Sequence, residues 1–141
     1  MNAIVVGSDG SSSAEAAVQK VIELAQGSGA IIHLVCAYPG RSALERLGLS
    51  AKVEPVSLRG VASDVAARAE RRFEEAGFDV ELHVQEGDAA DTLIQVAEET
   101  GAEMIAVGAR GNSSLRRFAL GSVASKLSHH ATTTLLLVRE G

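Results

Sequence analysis

Glycines and hydroxyl residues late in the chain are spaced as a phosphate-binding loop requires. Val107-Gly108-Ala109-Arg110-Gly111 is followed, after nine residues, by Gly121-Ser122-Val123, a pattern typical of a strand end, a glycine-rich loop and a helix start. A phosphate needs backbone N–H groups that no Cβ obstructs, and a helix N-terminus supplies such donors with a favourable dipole. The spacing therefore predicts a phosphate site with its helix beginning at Gly121-Ser122. A surface loop with an ordinary helix cap is the alternative.

The residues on either side of this loop favour the phosphate-binding interpretation. The run Met104-Ile105-Ala106-Val107 is short, apolar and followed by glycine, as expected of a buried parallel strand. After the loop, apolar residues recur at helical spacing, namely Val123, Ala124, Leu127 and Ala131. The predicted order is therefore strand, loop and helix.

A second polar segment, Gly7-Ser8-Asp9-Gly10, follows the first apolar run of the chain. Asp9 can accept hydrogen bonds from a ribose hydroxyl or a base amine, or bind a cation beside a polyphosphate. Because Asp-Gly is a common turn pair, a purely structural role is the alternative. Ser8 does not lie in a G-x-S-x-G motif and has no identifiable His and acid partner, so no hydrolase triad is predicted.

Arginines beside the loop can offset the charge of a phosphate. Arg110 lies between the two glycines and is the best candidate, whereas Arg116 and Arg117 fit a solvated surface equally well. Ser122 can donate to a phosphate or cap the helix. The chain has no G-x-x-x-x-G-K-[ST] loop and no identifiable base to orient water, so nucleotide binding is easier to argue than hydrolysis.

Length and composition indicate one domain without a polyanionic partner. A chain of 141 residues has the size of a single domain with its own core. The 13 basic and 18 acidic residues give a net charge of −5, so nucleic acid or an anionic membrane is not expected as the main partner. The lone Cys36 lies in an apolar run, excludes an internal disulfide and indicates a reducing compartment. With no membrane-length apolar run and no charged signal-peptide start, a cytoplasmic location is expected.

Five short apolar runs alternate with longer amphipathic segments, which predicts an α/β fold with a parallel sheet and helices on both faces. The predicted strands are Ala3–Val6, Ile31–Ala37, Val80–Val84, Met104–Val107 and Thr134–Val138. Because parallel strands bring their C-terminal ends to one edge, Asp9 and the glycine loop should face each other if strands one and four are neighbours.

Four helices are predicted between and after these strands, and the last of them is the helix that begins at Gly121-Ser122. The first is capped within Ser11-Ser12-Ser13 and ends at Gly27 or Gly29, with an apolar stripe at Ala14, Ala17, Val18, Val21, Ile22 and Ala25. The second carries an apolar stripe at Val61, Val65, Ala69, Phe73 and Ala76 and ends before Gly77. The third runs from Asp88 to Gly101. Pro39 to Gly60 is predicted to be the least structured segment.

The histidines are predicted to be structural. His33 and His83 lie in predicted strands, and His129-His130 end the last helix, where a cation suits the dipole. No Cys/His spacing typical of a metal site appears, so no metal ligand is predicted.

Taken together, these segments resemble the universal stress protein family over essentially the full chain. The resemblance rests on Ile4-Val5-Val6-Gly7-Ser8-Asp9-Gly10-Ser11, on Gly29-Ala30 before the second strand, and on Gly108-x-x-Gly111-x9-Gly121-Ser122, which fits the family pattern G-2x-G-9x-G-[ST]. The stretch from Leu115-Arg116-Arg117 to Leu120-Gly121-Ser122-Val123-Ala124 is particularly close.

The resemblance implies a Rossmann-like, open five-stranded sheet in the order 3-2-1-4-5 and the binding of ATP, with Mg²⁺ held through its phosphates. It assigns the nucleoside contact to Asp9 and the adenine edge to the backbone of Ala37. The ribose and phosphates are assigned to Gly108, Gly111, Gly121, Ser122 and the amide of Val123, and Arg110 is added from its charge. It also implies a homodimer through Thr134–Val138, since an apolar edge strand otherwise invites uncontrolled pairing.

Two departures from the family pattern leave the proposed nucleotide contacts untouched. Thr133-Thr134 stands where Cys-Pro is frequent, which puts the entry into the last strand and the dimer geometry in question, and Glu103 stands where an Asp is frequent.

The leading hypothesis is a stress-response or signalling module whose nucleotide-dependent surface is recognised by a protein partner. A slow ATPase or nucleotide-dependent transferase and a nucleotide-independent dimeric module are the alternatives. A flavodoxin-like protein is disfavoured because few aromatic residues could stack on a flavin, and a receiver domain because the third strand ends in Gln85-Glu86.

Overall fold

Five parallel strands form the centre of the molecule in the computed structural model, which describes residues 1–48, 55–110 and 120–140. They are β1 (Ala3–Gly7), β2 (Ile31–Tyr38), β3 (Asp79–Glu86), β4 (Met104–Gly108) and β5 (Thr134–Val138). Their spatial order is β3-β2-β1-β4-β5, and each neighbouring pair is parallel. The predicted α/β class and the order 3-2-1-4-5 are confirmed.

In the described part of the chain, five helices connect or follow these strands: α1 (Ser12–Ala25), α2 (Arg41–Arg46), α3 (Pro55–Glu75), α4 (Ala89–Thr100) and α5 (Ser122–His130). The predicted caps are confirmed for α1 and α4. The hydroxyl of Ser11 accepts the amide of Ala14 at 3.1 Å, and α4 ends at Gly101 in the left-handed region with φ 65°. Within the described ranges, every helix is too short or too polar to serve as a membrane span.

The segment from Pro39 to Gly60 holds more helix than the sequence predicted. A short helix, α2, forms because Leu44 is buried against the body of the protein, and a single apolar residue gives no periodic signal. Helix α3 begins at Pro55 rather than near Val61, and Val61 is 61% exposed, so its predicted place on the buried stripe was wrong. Residues 49–54 lie outside the described part of the chain.

The two faces of the sheet carry separate apolar cores because neighbouring residues of a strand point to opposite faces. On one face, Ile4, Val6, Ile32 and Leu34 pack against α1 and α3, with Phe73 fully buried. On the other face, Val5, Val35, Ile105 and Val107 pack against α4 and α5. The predicted helices on both faces are confirmed.

The entry into β5 is stabilised although the frequent Cys-Pro pair is absent. The hydroxyl of Thr133 donates to the carbonyl of Ala102 at 3.3 Å, and β5 then pairs with β4 from Thr134 to Val138. Thr133 therefore supplies a side-chain hydrogen bond at the position in question.

Asp88 connects α4 to α5. Its Oδ2 accepts the amide of Asp91 at 3.0 Å and the Nζ of Lys126 at 3.1 Å, and Lys126 also donates to Asp91 at 3.0 Å. Partial burial acts to raise the pKa of Asp88, but the Asp91 amide and the Lys126 ammonium outweigh it and hold this pKa below its ordinary value. The carboxylate therefore acts both as a cap and as a counter-charge.

Two substitutions separate these roles. Because Asn caps a helix as well as Asp, Asp88→Ala should lower the free energy of unfolding at pH 7 by about 1 kcal/mol and Asp88→Asn by less. The folded-state pKa is lowered, so the charge stabilises the fold above the unfolded pKa, and this contribution is lost as the pH falls through the folded pKa. In urea unfolding, the difference between the parent and Asp88→Asn should therefore narrow below about pH 4. A difference that stays constant there would contradict the assigned role of the charge.

Candidate functional site

A cavity of about 280 Å³ opens at the C-terminal ends of β1, β2 and β4. Strand β1 has β2 on one side and β4 on the other, so the strand order reverses here. Ligands of open α/β sheets bind at this point. The described walls of the cavity are Gly7, Ser8, Asp9, Ser11, Ala14, Val35, Ala37, Ala89, Leu93, Val107, Gly108, Arg110, Ser122, Val123 and Ala124.

Most of the residues singled out from the sequence converge on this cavity. Those that line it are Asp9, Ala37, Gly108, Arg110, Ser122 and Val123. Gly121 is buried beside it, in contact with the backbone of Arg110. Gly111, Arg116 and Arg117 lie outside the described residues.

Asp9 combines the two roles that the sequence left open. Its Oδ1 accepts the amide of Ser11 at 2.9 Å, which closes the turn between β1 and α1. The next residue, Gly10, has φ +80°, a conformation that favours glycine. Asp9 is nevertheless exposed and lines the cavity, so the turn holds a carboxylate at its wall.

Two glycines of the predicted loop are required by chain packing. A Cβ at Gly108 would lie 2.5 Å from the Oγ of Ser13 and 2.6 Å from its carbonyl carbon. A Cβ at Gly121 would overlap the carbonyl oxygen of Arg110, and the amide of Gly121 donates to the carbonyl of Ala109 at 2.7 Å. The glycines thus let β4 approach α1 and let the chain return to β4 at the start of α5.

The N-terminus of α5 contributes backbone donors to the cavity. Its N-cap is Gly121, which has no side chain to occupy the first helical amides. Ser122 and Val123 are the first two residues of the helix and both line the cavity. Helical amides that the N-cap residue does not occupy, together with the helix dipole, favour an anion at this position.

Arg110 already has an acidic partner at the same end of the cavity. Its guanidinium forms an ion pair with Glu140, and the other carboxylate oxygen of Glu140 accepts the hydroxyl of Ser12 at 2.6 Å. The Ser12 hydroxyl has the largest effect and lowers the pKa of Glu140; burial opposes it, and the Arg110 guanidinium lowers this pKa further, so that it lies below its ordinary value. A bound phosphate would meet a carboxylate beside its predicted counter-charge, a feature that sequence reasoning missed because Glu140 belongs to no motif.

Cys36 lies near the cavity without lining it. The residue is 1% exposed, and burial, with a further contribution from the negative charge of Asp9, raises the pKa of its thiol to about 11. The predicted small, buried cysteine is confirmed.

The packing of Gly108 can be tested against a glycine in open surroundings. Gly108→Ala should lower the free energy of unfolding by about 1–3 kcal/mol, as overpacking does. Gly60 lies within α3, and a Cβ there meets nothing within 4 Å, so Gly60→Ala should raise it by about 0.5–1 kcal/mol. Chemical unfolding of the parent and both variants measures the two effects. If Gly108→Ala were as stable as the parent, β4 and α1 would not be in the close contact described.

The sequence matches the model of the universal stress protein family over residues 1–139. Among curated proteins, it is 31% identical over 138 residues to a universal stress protein of Mycobacterium tuberculosis, covering 96% of this chain and 94% of that protein. It is 32% identical over 125 residues to universal stress protein G of Escherichia coli O157:H7, covering 87% of each.

Solved structures of universal stress proteins are also similar to this chain. A universal stress protein crystallised in complex with cAMP superposes with a TM-score of 0.73 at 31% identity, covering 97% of this chain and 96% of that one. The universal stress protein UspA from Lactobacillus plantarum superposes with a TM-score of 0.77 at 22% identity, covering 98% and 97%. At that lower identity the likeness concerns the fold alone.

Proposed function

The chain belongs to the universal stress protein family, and from this premise we propose that it binds adenine nucleotides, ATP in particular, in the cavity between β1 and β4. The observation that carries the proposal is the convergence of Asp9, Ala37, Arg110 and the first residues of α5 on one cavity. A relative of known structure with 31% identity is bound to cAMP, which supports an adenine nucleotide as the ligand class.

The two ends of the cavity suit the two ends of a nucleotide. Asp9 and Ala37 would hold the nucleoside, because a carboxylate accepts hydrogen bonds from ribose hydroxyls and a strand-end backbone can pair with the adenine edge. Gly108, the start of α5 and Arg110 would hold the phosphates, with Gly111 as a further predicted contact. Mg²⁺ would bind through the phosphates, as it does in most nucleotide sites.

The cavity favours binding over rapid turnover. Among the described residues that line it, Asp9 is the single carboxylate and Arg110 the single basic side chain. Efficient phosphoryl transfer needs further groups that orient the nucleophile and stabilise the developing charge.

A slow ATPase or nucleotide-dependent transferase is the second candidate function, and Asp9 is the single described residue that favours it. Phosphate release above background that disappears in Asp9→Ala would support it.

We further propose a cytoplasmic signalling role in the stress response, exerted by a homodimer on an unidentified protein partner. Strand β5 lies at the edge of the sheet, and its residues Leu135, Leu136 and Leu137 are only partly buried. Pairing of two such edges would cover them. Sedimentation equilibrium tests the dimer, and a parent that stays monomeric at every concentration would contradict it.

Nucleotide binding is tested by calorimetric titration of nucleotide-stripped protein with Mg-ATP. We expect saturable 1:1 binding that Ala37→Leu weakens at least about tenfold, or 1.4 kcal/mol, because the larger side chain extends into the cavity. Ala67→Leu is the matched control, since Ala67 is exposed on α3, and it should bind like the parent. Equal binding by parent and Ala37→Leu would place the nucleotide elsewhere.

The same titration with cAMP and AMP separates the ligand class from the ligand. Binding of cAMP without binding of ATP would keep the adenine-nucleotide proposal and overturn the preference for ATP. Absence of binding by all three would favour the nucleotide-independent dimeric module instead.

A further prediction concerns the acidic partner of Arg110. Glu140→Gln removes a negative charge next to the proposed phosphate position and frees the guanidinium. We expect it to tighten ATP binding by about three- to tenfold at low ionic strength, with a smaller effect on AMP and a smaller gain at high salt. Glu74→Gln, at an exposed position of α3 outside the cavity wall, removes the same charge and is the control for net charge. An equal gain in both variants would show that Glu140 acts only through net charge.

A further inference from the structure

Two histidines and a glutamate meet on the α4 face of the sheet, away from the walls of the nucleotide cavity. His33 lies in β2, and Glu81 and His83 lie in the neighbouring edge strand β3. The Nδ1 of His33 is 3.1 Å from the Nε2 of His83 and 3.3 Å from the Oε2 of Glu81. All three ligand atoms lie within 4.8 Å of one another.

The strand register creates this cluster. His33 is paired with Glu81, and His83 with Val35, two residues beyond His33. Since partners in a parallel sheet and every second residue of a strand share a face, the three polar side chains must project together. Their positions follow from strands that are fixed by the core, so two strands hold the cluster in advance of any ligand.

The three residues differ in burial in a way that suits a metal site. His33 is 5% exposed, which limits its rotamers and holds its ring in place. His83 is half-buried, whereas the Glu81 side chain is 61% exposed. Helix α4 packs on β1 and β2, and the cluster reaches solvent at Glu81. An ion can therefore enter from one side, and water can complete its coordination.

The distances agree with shared coordination. Two ligands bound at 2.0–2.2 Å to one tetrahedral ion lie about 3.4 Å apart, close to the separations from His33 Nδ1. Without an ion, the two ring nitrogens and the carboxylate oxygen can share only protons carried by the imidazoles. A cation accepts all three lone pairs at once.

We propose that His33, Glu81 and His83 bind a divalent first-row metal ion of the zinc class. Two neutral imidazoles and a carboxylate, with one position open to water, form a ligand set typical of Zn²⁺. The ion would join β3 to β2 through side chains as well as through the backbone ladder. This site does not depend on nucleotide binding, and it replaces the purely structural role predicted for His33 and His83.

A second pair of histidines in the chain serves as a control for the proposed metal site. His129 and His130, its other two histidines, are exposed at the end of α5 with ring centroids 6.4 Å apart. Adjacent residues of a helix do not face each other, so this pair should not chelate an ion.

The test is Zn²⁺ binding to EDTA-treated, nucleotide-free protein, measured by competition with a chromogenic chelator. The parent should bind one equivalent. His83→Ala and Glu81→Gln should each weaken binding by at least about tenfold, since even residues that only orient a ligand contribute this much. The double variant His129→Ala/His130→Ala should bind like the parent. Binding to the folded state should also raise the Tm of the parent but not that of His83→Ala.

Co²⁺ gives a second readout, because its visible absorption reports coordination number. It should show a four-coordinate site in the parent and in His129→Ala/His130→Ala, but not in His83→Ala or Glu81→Gln. Glu81→Gln changes an exposed side chain, so it keeps the test valid if His83→Ala proves unstable. The proposal is overturned if the parent binds Zn²⁺ no more tightly than millimolar, if Glu81→Gln and His83→Ala bind like the parent, or if binding is lost with His129 and His130.

Discussion

The close approach of the end of β4 to the start of α1 is the constraint on which the cavity depends. At this point Gly108 lies against the backbone of Ser13, Ala109 donates to the carbonyl of Val138 at 2.8 Å, and the carbonyl of Ala109 accepts the amide of Gly121 at 2.7 Å. Four elements, β4, β5, α1 and α5, are thereby held together by three consecutive contacts. Because a Cβ is excluded at Gly108 and Gly121, the backbone can come close to the cavity at this point, and free backbone amides are suitable donors to an anion.

Local signals explain why most of the fold was predictable. Apolar runs, the Ser11 and Asp88 caps and the left-handed Gly101 each specify their own segment without reference to the rest of the chain. Alternation of strands and helices then restricted the topology, although the order of the strands came from the family resemblance. Helix α2 and the first turns of α3 were missed because their stability derives from tertiary contacts, such as the burial of Leu44, rather than from periodicity.

The candidate site could be predicted from the sequence only where its residues belong to one continuous segment. The loop glycines and Asp9 were located from spacing, but the reason for glycine at Gly108 is a contact with Ser13, 95 positions earlier in the chain. The Arg110–Glu140 ion pair and the cluster of His33 with His83 are likewise absent from any motif. Such pairs depend on which strands are neighbours and in what register, and a single sequence does not contain this information directly.

The burial of Cys36 makes its thiol unreactive towards oxidants. With a thiol pKa of about 11, roughly one molecule in ten thousand carries a thiolate at pH 7, and the thiolate is the nucleophile that attacks peroxides and disulfides. Since Cys36 is the single cysteine of the chain, no second thiol can form a disulfide within it. The strand that supplies Ala37 to the cavity wall therefore carries a sulfur that is slow to react with oxidants.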